Sequence, residues 1–285
     1  MRTLFQSGTT ILLTSLLTFL TVLLICLRKN PFIVIRDFIL GLKHHRLLLF
    51  HVIACMGILL MNKLELLLEP HLNVSEDWTP YIGMFEENVT PIIQQLFMND
   101  SLTYLTTYFY VILFSVLLFA SLFIYHSERD FRSLYALLYG IGFNYLLAIP
   151  FYLFFPVNET WHSHPNIQFL IPTVYPGFEE QYRNFSGLNN SFPSLHTSLS
   201  ITLAVIAWHS VNRRFARLNL LSVGVILFAI LYLGIHWYLD IIAGIILASV
   251  SLGLAYWACE IPLGTPRPGL SPQRKASSEQ YADLS

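Results

Sequence analysis

Long apolar runs, each closed by a short polar stretch, set the pattern of this chain. Its 285 residues hold seven such runs, at about 9–27, 46–62, 103–125, 133–155, 193–211, 218–235 and 236–258. Each has roughly the 17–25 residues that a helix needs to cross a bilayer. The last two nearly abut, but a fused helix would far exceed one crossing, so they read as two. The pattern predicts an all-α, polytopic membrane bundle of about seven transmembrane helices. The first run is long for a signal peptide, and Arg28-Lys29 follows it where a small-residue cleavage site would stand, so it reads as a retained helix. Segment 63–102 is acidic and broken by Pro70, Pro80 and Pro91. Within it, 82–85 and 92–98 read as short amphipathic pieces lying on the bilayer surface. The organisation that follows is N-terminal transmembrane helices over 1–62, an outer-face loop over 63–102, a second helical region over 103–258, and a Pro/Ser/Gly/Gln-rich tail over 259–285 read as disordered.

The connectors sort by charge. Arg28, Lys29, Arg36, Lys43 and Arg46 follow the first run, Arg129 and Arg132 the third, and Arg213, Arg214 and Arg217 the fifth; Arg267, Arg274 and Lys275 lie in the tail. The alternate loops are poor in cations: 63–102 has only Lys63, and 156–192 only Arg183. The positive-inside rule then places the N-terminus outside and the C-terminus in the cytoplasm. Asn-x-Ser/Thr sequons at Asn73, Asn88, Asn99, Asn158, Asn184 and Asn189 all fall in the two loops assigned outside, which agrees.

Composition narrows the class. The chain is 55% apolar and 12% charged, against about 25% charged in soluble domains. Its formal net charge of −1 gives no sign of a nucleic-acid partner. Cys26, Cys55 and Cys259 are scattered and read as small buried hydrophobes. His162 and His164 have no evident third ligand and read as loop residues rather than a metal site.

Two strings carry chemistry, and both begin apolar runs at the outer face. In His236-Trp-Tyr-Leu-Asp240 the two ionisable residues are four apart at a helix start, so they share a face. A carboxylate bonded to one imidazole nitrogen fixes the tautomer and leaves the other nitrogen as a nucleophile. In Ser191-Phe-Pro-Ser-Leu-His196, Pro193 suits a first helical turn and Ser191 its cap. Such a helix start favours a phosphate, Ser194 adds a hydroxyl, and His196 can protonate a leaving oxygen.

In these residues the chain resembles the type 2 phosphatidic acid phosphatase superfamily, whose second motif is P-S-x-H and whose third ends in H-x-x-x-D. The resemblance implies that His236 is the nucleophile that becomes phosphohistidine, that Asp240 orients it, that His196 is the general acid, and that Ser194 helps bind the phosphoryl oxygens. It implies no metal and no cofactor, and makes 103–258 the catalytic core. The first motif, K-x-x-x-x-x-x-R-P, is missing; Arg267-Pro268 lies in the tail with Glu260 in the Lys position. The Arg expected six residues before the nucleophile is Ile230. The shape of 192–196 and 232–244 is closer to the inositolphosphotransferase branch, which includes inositol phosphorylceramide synthases; sphingomyelin synthases share a similar core. The lost cations need a substitute, because a phosphoryl group in transfer carries charge. Arg183 is the arginine of the outer loops and is expected to grip the phosphate.

The favoured expectation is an enzyme that splits or transfers a lipid-linked phosphate ester at the outer leaflet. Its partners are the bilayer, a lipid phosphate or phospholipid donor and, for a transferase, an inositol or other alcohol acceptor. The alternatives are a lipid phosphate phosphatase with water as acceptor and, from another class, a transporter or an inactive scaffold.

Overall fold

The computed structural model describes residues 5, 7–72, 76–85 and 88–260. The predicted tail beyond Glu260, with Arg267-Pro268, and the sequon at Asn73 lie outside the described residues. The helices are α1 (Gly8–Leu27), α2 (Pro31–His44), α3 (Arg46–Leu68), α4 (Thr79–Gly83), α5 (Val89–Phe97), α6 (Asp100–Thr107), α7 (Phe114–Ser127), α8 (Phe131–Phe154), α9 (Thr160–Ser163), α10 (Ile171–Val174), α11 (Phe178–Tyr182), α12 (Leu195–His209), α13 (Arg213–Tyr232) and α14 (Tyr238–Ala258). A π-helical segment, Tyr108–Leu113, joins α6 to α7 without a break. No strand occurs among the described residues, and the fold is an all-α bundle.

Among the described residues, six helical stretches are long and apolar enough to cross a membrane: α1, α3, Asp100–Ser127, α8, α13 and α14. The protein is a multi-pass integral membrane protein. The run expected at 193–211 forms α12, whose 15 residues span about 22 Å, short of a bilayer core of about 30 Å. It is nevertheless the centre of the bundle, packed against α8, α13 and α14. Its polar residues Thr197, Ser198, Ser200 and Thr202 are all buried by those neighbours. α1 and α3 sit outside, with 22% and 11% of their apolar windows buried against 50% in α13. Exposed Leu12, Leu16, Phe50, Ile53 and Leu60 there form an apolar surface that suits the lipid around a membrane-spanning helix.

Two elements differ from the sequence expectation. The basic connector after the first run folds into α2: Asn30 accepts the Phe32 N–H at 3.0 Å and Pro31 takes the first position, a sound helix start. With 14 residues and Arg36-Asp37 mid-way, it is too short and polar to register as an apolar run. The second run extends to Leu68, through Glu65, which is buried at 1% exposure because Asn190 bonds it.

Helix directions collect the connectors at two ends. At one, Lys29 bonds Ser127, Asn212 bonds the Cys26 carbonyl, and Asp130 accepts from the Val211 N–H. At the other, Trp78 N–H bonds the Pro156 carbonyl and Lys63 that of Asn184. This second end holds His236, Asp240, His196, Ser194 and Arg183.

Candidate active site

His236 lies in the connector between α13 and α14, and Asp240 in the first turn of α14. The two therefore do not share a helix face as the four-residue spacing suggested; α14 starts only at Tyr238. They meet because the chain folds back: the Ile235 and His236 N–H groups both bond the Ile230 carbonyl. The His236 Nδ1 then stands 3.1 Å from Asp240 Oδ2. The same carboxylate oxygen accepts from the Trp237 N–H at 2.9 Å and from the Ser191 hydroxyl. Ser191 Oγ is also 3.1 Å from His236 Nδ1. All three side chains are buried. A proton on Nδ1 thus faces two oxygens, and Nε2 keeps its lone pair.

Ser191 corrects a sequence expectation. It does not cap α12, because its segment runs extended beside Val157: Ser191 N–H bonds the Val157 carbonyl and Val157 N–H that of Asn189. The cap is Ser194, whose Oγ accepts the Thr197 N–H at 3.3 Å. Pro193 accordingly stands just before the helix, its carbonyl held by the Tyr152 hydroxyl of α8 at 2.9 Å.

One short segment, 157–161, braces the site from two sides. Glu159 N–H bonds the Leu188 carbonyl on the Ser191 side, while the Thr160 and Trp161 N–H groups bond the Ile235 and Gly234 carbonyls on the His236 side. Gly234 is required at this turn: its φ is +81°, and a Cβ would stand 2.5 Å from the Gln168 carbonyl. Gly244 is required for a different reason. A Cβ there would meet Thr197 Cβ at 2.7 Å and the Ser194 carbonyl at 2.8 Å, so its absence lets α14 approach the start of α12 closely.

That approach brings the second histidine into place. The His196 and His236 ring centres are 6.4 Å apart. Ser194 is fully buried at the same helix start, where the first backbone N–H groups of α12 have no carbonyl within the helix to take them. The structure thus gathers Ser194, His196, His236 and Asp240, and adds Ser191.

Arg183, at the end of α11, sits one layer out. Its two terminal nitrogens grip Glu159 Oε1 and Oε2 at 2.9 and 2.7 Å, and one also reaches the Gly187 carbonyl at 3.1 Å. Burial opposes its charge, but the bonds and charge of Glu159 outweigh that and hold the guanidinium pKa above its ordinary range. Glu159 also accepts from the Trp161 indole at 2.6 Å; an acid 24 residues from its partner leaves no local signal in the sequence. His164 sits beside the Asn166 N–H at the end of α9, and His162 within that helix.

This geometry can offer Nε2 of an oriented imidazole as a nucleophile, with a second imidazole close by to carry a proton. The family model of the PAP2 superfamily matches residues 87–254, more than half of the chain and a stretch that contains each of these groups. Comparison with curated proteins returns no match, and neither does comparison with solved structures. With that family match and the buried His–Asp–Ser arrangement inside it, the chain belongs to the PAP2 superfamily.

Proposed function

We propose that the protein is a membrane-embedded phosphatase or phosphotransferase that acts on a lipid-linked phosphate ester through a phosphohistidine. The observation that carries this reading is the fixed Nδ1 of His236 between Asp240 and Ser191. The Nε2 lone pair attacks phosphorus, the P–O bond to the lipid alcohol breaks, and the departing oxygen takes a proton from His196. In the second half a hydroxyl gives its proton to His196 and attacks the phosphohistidine. The P–N bond breaks and the pair returns to Nε2. Water in that step makes a phosphatase, and an inositol or other alcohol makes a transferase. The start of α12 and the Ser194 hydroxyl receive the phosphoryl oxygens. Arg183 contributes a phosphate contact where Glu159 leaves its grip.

The motif shape at 192–196 and 232–244 favours the transferase, with inositol as acceptor. The site faces away from the cytoplasm, since the basic connectors gather at the opposite end of the bundle. The test is turnover of a panel of lipid phosphates and phospholipids by the purified protein, with and without inositol, beside His236→Ala. We expect phosphate release, or diversion to a phosphoinositol product, that vanishes in the variant. Turnover that survives His236→Ala overturns the phosphohistidine route. No turnover of any donor overturns the lipid phosphate reading.

A further inference from the structure

His196 makes its closest ring contacts with the third membrane span. Tyr110 stacks on the imidazole with centres 4.1 Å apart and planes 23° from parallel. Phe114 leans on it at 4.7 Å and 41°. Tyr110 is 2% exposed, and its hydroxyl bonds that of Tyr182 at 3.3 Å. The Tyr182 ring stacks in turn on Phe178 at 4.9 Å. So a phenol pinned at its far end covers one face of the imidazole, and a second ring restricts its swing.

The backbone beneath these rings is unusual. Tyr110 lies inside the π-helical segment Tyr108–Leu113, and Phe114 is the first residue after it. A π turn holds one residue more than an α turn, and such turns occur often at functional sites. Tyr110 and Phe114 are four positions apart, a spacing that sets two side chains on one side of a helix, and here that side meets His196. The wide turn coincides with the contact to His196.

We propose that Tyr110 is a positioning residue: its pinned ring sets the plane of His196, so that the ring edge carrying the nitrogens meets the oxygen leaving phosphorus. Phe114 supports the same orientation. This rests on the reading of His196 as general acid given above. Tyr110 itself touches neither the reacting atoms nor the proton. The inference concerns its ring, so the hydroxyl matters only through the pin to Tyr182.

A role exerted through the acid has a signature that a packing role lacks. General-acid help counts when the departing group is a poor one and matters little when it leaves unaided. The experiment compares kcat/KM for a long-chain alkyl phosphate, whose oxygen needs a proton to depart, and for a nitrophenyl phosphate, whose phenolate leaves without one. That constant reads the steps through departure of the alcohol and not the later discharge of the phosphohistidine. Tyr110→Leu should lose about 30-fold on the alkyl ester and no more than about threefold on the nitrophenyl ester. Tyr110→Phe, which keeps the ring, should stay within about threefold of the parent on both. Equal losses on both esters in Tyr110→Leu, or no loss on either, overturn the proposal. If Tyr110→Leu does not assemble, Phe114→Leu carries the test, with the same asymmetry expected and equal losses again overturning it. His196→Asn separates the two levels. An asymmetric loss there with a symmetric one in Tyr110→Leu defeats the positioning role alone, whereas a symmetric loss in His196→Asn removes the acid role and the proposal with it.

Discussion

His236 and His196 stand at neighbouring helix starts, 6.4 Å apart, in opposite surroundings. Around His236 the partners are polar: a carboxylate and a hydroxyl each 3.1 Å from Nδ1. Around His196 they are rings, at 4.1 and 4.7 Å. The difference fits a division of labour. A nucleophile must offer the same lone pair at every turnover, so a fixed tautomer serves it, and hydrogen bonds fix tautomers. A group that passes a proton back and forth must change protonation state within each cycle. A partner that held one state would hinder it, while stacked rings hold the plane and leave the nitrogens unclaimed. The sorting of two like side chains by environment is how one site runs both halves of acid–base chemistry.

The sharpest way to break that comparison is Asp240→Asn. The amide keeps the size of the carboxylate but can present an N–H to Nδ1, which drives the proton to Nε2 and removes the lone pair. We expect turnover to fall by about 10³–10⁴-fold while the bundle still assembles. Steady-state turnover beside a size-exclusion profile checks this. Near-normal turnover would remove the tautomer argument for His236 and leave the contrast between the histidines without chemical meaning.

A smaller effect is expected one layer out, where Arg183 and Glu159 meet. Glu159 is 4% exposed at its side chain and Arg183 23%. For this partly buried pair the loss of one partner should cost about 3 kcal/mol, the low end for a buried pair, or an unfolding temperature lower by about 10 °C in a chain of this size. Glu159→Ala should show that loss, because it strands the guanidinium and loosens the segment that braces both histidines. Arg183→Ala discriminates between two roles. A raised KM for the phosphate donor with a modest thermal loss assigns Arg183 to the phosphate. A thermal loss equal to that of Glu159→Ala, with KM unchanged, assigns it to the loop. Replacing both residues with Gln and Met should recover part of the thermal loss if the pair acts as a unit.

What the sequence made legible follows from range. Apolar runs are local, and they located the six helices long and apolar enough to cross a membrane and the shorter α12, although α3 runs on to Leu68 and α13 starts already at Arg213. His236 and Asp240 are four apart, and His196 heads its own run, so their gathering at one end of the bundle was legible too. The contacts that define the site are long-range. Ser191 reads from its neighbours as a helix cap, and only its pairing with Val157, 34 positions earlier, turns it toward Asp240. Tyr110 reads as one more apolar residue of a span, since nothing in its neighbourhood announces a π turn opposite His196. Arg183 was visible as a lone cation, but its partner Glu159 was not, and the pairing changes what the cation is free to do.

The smallest effect belongs to Ser191. Its hydroxyl donates to the same Asp240 oxygen that His236 uses, while the Trp237 N–H supplies a third bond at 2.9 Å. Ser191→Ala removes one of three donors and leaves the pair of His236 and Asp240 in contact. A hydrogen bond to a charged group is worth about 1.5–3 kcal/mol, but the remaining donors share the load, so we expect a loss of about tenfold in kcat with little change in KM. The loss should be the same on alkyl and nitrophenyl esters, because Ser191 serves the nucleophile and not the leaving group. That is the opposite of the pattern expected for Tyr110→Leu. Should Ser191→Ala instead spare the nitrophenyl ester, Ser191 would belong with the acid, and the polar and aromatic surroundings would not divide the two halves of the reaction.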